Sequence, residues 1–161
     1  VSFLPQLTRG FGAQAAKADD ALHERLIRDA LMAFVSFVEY NPPSLLHGDF
    51  WPVNVLYKEA RIVGLIDWED AAIGEPLFDL ANARLELLWA FGKDVMQVFT
   101  DHYKATLRLN FRYLPYWDLC AALRPANKLG TWGLAREKEK LMGEAHHWFV
   151  QNALAELATL A

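Results

Sequence analysis

Apolar residues recur at four-residue steps from Leu22 through Leu26, Ala30, Phe34 and Val38, with Ile27, Leu31 and Val35 alongside. That spacing predicts an amphipathic helix. Asp19 or Asp20 can cap its start, and Asn41-Pro42-Pro43 stops it, because proline drives its predecessor out of helical geometry. Residues 1–18 are punctuated by Pro5, Gly10 and Gly12, show no sustained period and read as irregular. After the prolines the character changes. Leu45-Leu46 leads into His47-Gly48-Asp49, and Val53 to Tyr57 and Arg61 to Trp68 read as two short strands joined by a Lys58-Glu59-Ala60 turn. Gly74 and Pro76 mark a loop, after which the helical period returns. Leu77, Leu80, Ala81, Leu85 and Leu88 share one face, with Gly92 as C-cap. Val95, Val98, Phe99, Tyr103 and Leu107 outline the next helix. Further helices are expected over Tyr116 to Leu129, interrupted near Pro125, and over Glu137 to Leu160. The expected class is α+β, mostly α-helical, with a small β-hairpin.

Composition narrows the choice. The 161 residues suit one domain, and 53% apolar content suffices for a core. Sixteen Lys and Arg against 20 Asp and Glu leave a net charge of −4. That balance argues against a nucleic-acid partner, which usually demands a basic field. No apolar run approaches the roughly 18 residues of a membrane span. No charged-then-apolar leader follows Val1, and the lone Cys120 excludes an internal disulfide framework and a Cys-cluster metal site. A cytoplasmic setting is expected.

The unusual residues are polar ones in apolar surroundings. His47-Gly48-Asp49 is followed by four residues and then Asn54, and Ile66-Asp67-Trp68-Glu69 comes at the end of the predicted hairpin. Phosphoryl transfer from ATP needs a carboxylate to take the proton of the attacking hydroxyl, and oxygen ligands for magnesium. Kinase catalytic loops space these groups as His-x-Asp-x4-Asn, with a second Asp beyond a short hairpin. The first part of that pattern alone arises by chance in about one chain per thousand.

HGDFWPVNVL followed by GLIDWEDAAIGEPLFDLA resembles the aminoglycoside phosphotransferase family, part of the kinase-like superfamily that includes choline, homoserine and fructosamine kinases. The resemblance is carried by residues 45–84, with a helical, substrate-side subdomain over 85–161. It implies the C-terminal lobe of a protein-kinase-like fold acting as a small-molecule kinase. It further implies Asp49 as catalytic base, Asn54 and Asp67 as magnesium ligands that hold the nucleotide, and His47 and Asp79 as supports of the catalytic loop. ATP or GTP and Mg2+ are the implied cofactors, and a small-molecule hydroxyl the implied acceptor. Trp51-Pro52 is a variant found in the family, whereas Val53 stands where the family often has Gly.

The N-terminal nucleotide lobe of such kinases has no counterpart here. Lys17 is the only lysine before His47, and Arg9-Gly10-Phe11-Gly12 offers two glycines without a preceding strand. Residues 1–161 are therefore read as the C-terminal lobe alone, a fragment or truncated product whose missing lobe belongs to the same or another chain. Glu69, Asp70 and Glu86 are candidates for contacting a cationic acceptor such as an amino-sugar or amino-alcohol. The six tryptophans suit either the core or an aromatic wall. His146-His147, adjacent on a helix, point about 100° apart and do not chelate together, and Cys120 reads as buried and inert. The alternative is a catalytically silent, kinase-derived binding module, self-associating or binding a partner through an apolar inter-lobe face around Phe50, Trp51 and Leu56.

Overall fold

The computed structural model describes residues 20–160. The segment read as irregular, with Lys17 and Arg9-Gly10-Phe11-Gly12, lies outside the described residues. A single 3-10 turn, Asp20–Leu22, precedes α1 (Glu24–Phe34). His23, in the left-handed region at φ 57°, forms the N-cap without a side-chain capping bond. The cap is therefore His23 and not Asp20, and Asp19 lies outside the described residues. The helix also ends short of the prolines: Val35, Ser36 and Phe37 turn instead, and the run Val35-Ser36-Phe37-Val38 is poor in strong helix formers. Val38 nevertheless reaches the core.

Four short strands follow, in two separate antiparallel pairs. β1 (Ser44–Leu46) pairs with β4 (Ala72–Gly74), placing Leu45 opposite Ile73. β2 (Val55–Lys58) pairs with β3 (Arg61–Leu65), with an irregularity between Leu56 and Tyr57. The expected hairpin is thus β2–β3. Glu59 and Ala60 both take positive φ, 51° and 59°, as a two-residue hairpin turn of matching twist requires. β4 falls where the sequence predicts a loop: three residues carry no readable period, and its partner lies far away in sequence.

Helices make up the rest: α2 (Pro76–Phe91), α3 (Lys93–Thr106), α4 (Leu114–Ala122) and α5 (Arg136–Ala158). α4 is apolar all round apart from Asp118 and is buried along its whole length, as a helix without a polar face must be. It packs against α1, α2 and α5. Ile27, Leu31, Leu77, Leu80, Leu119 and Val150 are among the residues that fill the core, each contributing about 1.5–3 kcal/mol by burial. The inward face of α3 is rotated from the expected one, although Phe99 and Tyr103 pack against the core as expected. Met96 and Thr100 are buried, while Val95 and Val98 face solvent. The cause is Arg84 on α2: buried, it donates to Thr100 Oγ1 at 2.6 Å and grips Asp118 of α4 through Nε and Nη2 at 2.9 and 3.0 Å.

The α2 N-terminus is tied to the segment before β1 by Glu75. Its carboxylate caps the helix at the Leu77 N–H and accepts from the backbone and side-chain nitrogens of Asn41. Gly92 closes the helix with its N–H on the Leu88 carbonyl. No helix among the described residues is long and apolar enough to cross a membrane.

Candidate active site

The loop after β1 is shaped by Asp79, in the first turn of α2. Its two carboxylate oxygens accept from consecutive backbone N–H groups, His47 at 2.5 Å and Gly48 at 3.0 Å. Burial pushes the Asp79 carboxyl up, and these two hydrogen bonds pull it part of the way back. Gly48 sits at φ +85°, and a Cβ there would run into the backbone and side chain of Asp70. Glycine is thus needed both for the left-handed conformation and for the close approach of the two loops.

The loop after β3 is fastened to the first at Ile66. Its carbonyl accepts from His47 Nε2 at 2.9 Å, and its N–H donates to the Asn54 carbonyl at 3.0 Å. The His47 ring also packs on Trp68, centroids 4.5 Å apart. With Ile66 held at both ends, Asp67 follows at φ 65°, a conformation that costs a non-glycine residue about 1–3 kcal/mol and collects at functional sites. Asn54 closes the network from the 3-10 turn Pro52–Asn54. Buried, it donates from Nδ2 to the Asp49 carbonyl at 3.0 Å, which leaves Oδ1 for another partner. Val53 in this turn has negative φ and an exposed side chain, so valine is tolerated where glycine is common in the family.

Asp49 points toward α4. Its Oδ1 accepts from Arg124 Nη2 at 2.8 Å. Both residues line a cleft of about 770 Å³ between the Trp51–Val53 turn, α2 and the segment running from Arg124 into α5. Trp51, Trp89 and Trp132 form aromatic walls there, and Asn82 and Glu86 project from α2. Of the remaining tryptophans, Trp117 belongs to the core and Trp148 packs against it.

The structure therefore gathers His47, Asp49, Asn54, Asp67 and Asp79 around two cross-linked loops. Of the candidate acceptor contacts, Glu86 lines the cleft, whereas Glu69 and Asp70 are exposed on the loop after β3 and do not. Burial pushes the Glu86 carboxyl up, against the pull of Arg124. Arg124, Lys128 and Lys138 add positive charge to the cleft lining. Arg124 and Asn82 are absent from the sequence-based candidates; the available signal is a polar residue interrupting an apolar run, at Leu80-Ala81-Asn82 and at Leu123-Arg124-Pro125. His146 and His147 part company: His146 is buried against the Ala122 carbonyl, and His147 faces His23. Cys120 is buried, and burial pushes its thiol up.

Asn54 Oδ1 and the Asp67 carboxylate are hard oxygen donors, the type magnesium prefers. Two protein oxygens suffice where substrate phosphates and water complete the shell. No group of three or more His, Cys, Asp or Glu side chains able to hold a metal occurs among the described residues.

Comparison with known proteins bears on the family and the fold. The profile of the phosphotransferase enzyme family matches residues 3–125. Acyl-CoA dehydrogenase family member 11 of Homo sapiens is 43% identical over 51 residues, 30% of this chain and 6% of that protein. Its Gallus gallus counterpart is 36% identical over 67 residues, 40% of this chain and 9% of that protein. The chain thus spans less than a tenth of these curated relatives. Among solved structures, a thermostable mutant of aminoglycoside phosphotransferase APH(4)-Ia in ternary complex with AMP-PNP and hygromycin B aligns with TM-score 0.53 at 20% identity, over 82% of this chain and 43% of that one. Its apo form aligns with TM-score 0.52, also at 20% identity, over 98% and 50%. The likeness establishes a fold shared with part of these aminoglycoside phosphotransferases, and by the match over most of its length the chain belongs to the phosphotransferase enzyme family.

Proposed function

We propose that this chain is the catalytic and acceptor-binding lobe of an ATP-dependent small-molecule kinase. The observation that carries the reading is the position of Asp49, fixed through Asn54 and standing in the wall of a cleft lined by tryptophans. The acceptor hydroxyl lies in that cleft. Asp49 takes its proton as the oxygen attacks the γ-phosphorus of ATP, the new O–P bond forms, and the bond to the β,γ-bridging oxygen breaks to release ADP. Asn54 and Asp67 would hold magnesium, whose chemistry is to neutralise charge on the phosphates. His47 and Asp79 position the loop. Aminoglycoside-like, amino-alcohol and sugar acceptors all fall within the class. A nucleotide lobe in the same or another chain completes the site, and GTP is the alternative donor. The cytoplasm suits the enzyme, since it supplies nucleotide and keeps a lone thiol reduced.

The test uses the polypeptide that carries this segment in its source cells. Asp49→Asn should lower phosphate transfer about 10²–10⁴-fold while nucleotide binding persists. Retained transfer removes Asp49 from its role.

One observation favours a second reading, the silent binding module. Leu45 and Ile73, cross-strand neighbours, are 64% and 52% exposed, and so are Tyr57 and Ile62 on the other pair, at 64% each. Of the face expected to be apolar and open, Phe50 is instead half-buried and stacked on Phe99. Concentration-dependent dimerisation without phosphate transfer would put this reading first.

A further inference from the structure

Asn82 lies at the centre of α2, only 1% exposed, in the lining of the Asp49 cleft. Neither its Oδ1 nor its Nδ2 has a hydrogen-bond partner. Buried side-chain amides are ordinarily satisfied, and an exception calls for an explanation. Asp49 and Arg124, in the same lining, hold each other. Asn82, Leu85, Glu86 and Trp89 recur at helical spacing, so one face of α2 presents an amide, an apolar patch, a carboxyl and an indole to the same cleft.

We propose that Asn82 is the acceptor-binding residue of this cleft, and that the acceptor is an uncharged cyclic polyol or sugar whose second hydroxyl, beside the attacked one, pairs with the Asn82 amide. The proposal rests on the phosphotransferase reading above. An amide supplies one acceptor and two donors, and a hydroxyl is the group that uses both kinds at once. A hydroxyl near the attacked one would be held close to Asp49. The walls fit the same class. Trp89 and Trp132 meet edge to face, 5.9 Å between centroids, and indole faces suit the C–H surface of a ring, while the Trp89 N–H is held by the Met142 carbonyl at 3.0 Å. Charge argues against a cation. Lys128 and Lys138 stand in the lining without an ion-pair partner among the described residues. Glu86 is the one lining carboxylate other than Asp49, and burial already favours its neutral form.

The test reads acceptor binding without nucleotide on the protein that carries this segment, by tryptophan fluorescence and ligand-observed NMR. D-glucose and myo-inositol are the polyol probes, choline the cationic one. Saturable binding of a polyol and none of choline is expected. Asn82→Leu should weaken polyol binding at least about tenfold, because a site built to pair with a hydroxyl loses its partner. The same variant should raise the unfolding temperature, since it removes an unsatisfied buried amide; a residue with a structural role would lower it. Asn82→Ala repeats the binding test with a smaller side chain. Preference for choline, or polyol binding unchanged in both variants, overturns the proposal. Phosphate transfer is scored separately in the protein that carries the segment. Transfer to choline without polyol binding overturns this proposal alone, and polyol binding without transfer to any acceptor overturns the phosphotransferase reading.

Discussion

Arg124 Nη2 lies 2.8 Å from Asp49 Oδ1, joining the loop after β1 to the turn that follows α4. The two side chains are 36% and 35% exposed, so solvent screens the pair and its own worth to folding is under about 1 kcal/mol. Its importance is positional. A carboxylate that must meet an acceptor hydroxyl is held by a cation on the cleft wall, and small misplacements of such a group are costly. Arg124→Met should therefore leave the urea midpoint nearly unchanged while lowering phosphate transfer about ten- to a hundredfold. A large loss of stability with transfer intact would make Arg124 a structural residue instead.

Gly48 and Gly143 make opposite predictions for one substitution. At Gly48, alanine meets both a left-handed φ of +85° and the Asp70 backbone. Gly48→Ala should cost about 1–3 kcal/mol or more and disturb both loops, visible as lowered stability and lost transfer. Gly143 lies inside α5, with nothing within 4 Å of the place an added methyl group would take. Gly143→Ala should stabilise by about 0.5–1 kcal/mol, through helix propensity. Chemical denaturation of both variants reads the signs; a neutral Gly48→Ala would show that the loop can relax.

The motif and the long helices are legible in the sequence because each rests on local spacing. His47, Asp49, Asn54 and Asp67 declare themselves by order along the chain, and α2 by its apolar face and Gly92. What the sequence hides depends on pairing across distance. β4 is three residues whose partner, β1, lies before the hairpin. The buried face of α3 is displaced because Thr100 turns inward to meet Arg84, and hydrophobic periodicity does not anticipate a buried polar network. Arg124 and Asn82 become site residues only when α2 and the segment after α4 close on Asp49. Charge alone groups Glu69 and Asp70 with Glu86, yet only Glu86 is brought to the cleft.

Asp79 offers a test of how the catalytic loop is held. Its carboxylate satisfies two successive N–H groups, whereas an asparagine side chain has one oxygen and turns two donors toward the other. Asp79→Asn should cost about 1–3 kcal/mol, the penalty of an unsatisfied backbone donor, and should lower transfer along with stability. Amide hydrogen exchange at His47 and Gly48 should quicken in this variant. Protection equal to the parent's would mean that Asp79 does not brace the loop.

The buried Arg84–Asp118 pair sets a pH dependence with a definite sign. Burial pushes the Asp118 carboxyl up to about 6, even against the pull of Arg84. Its unfolded value is 3.8. Between these limits the folded chain binds a proton that the unfolded chain does not, so stability falls as pH rises. The contribution is fully present below the unfolded value and lost as pH passes the folded one, on the order of 3 kcal/mol in all. Asp118→Asn removes this proton. The variant replaces one of the two oxygens that accept from Arg84 with an amide nitrogen, which lowers stability at low pH, but its stability should fall less, or rise more, than the parent's between about pH 4 and pH 6. Urea midpoints at several pH values measure both curves. Parallel curves would place the Asp118 carboxyl at its ordinary value, with Arg84 fully offsetting the cost of burial.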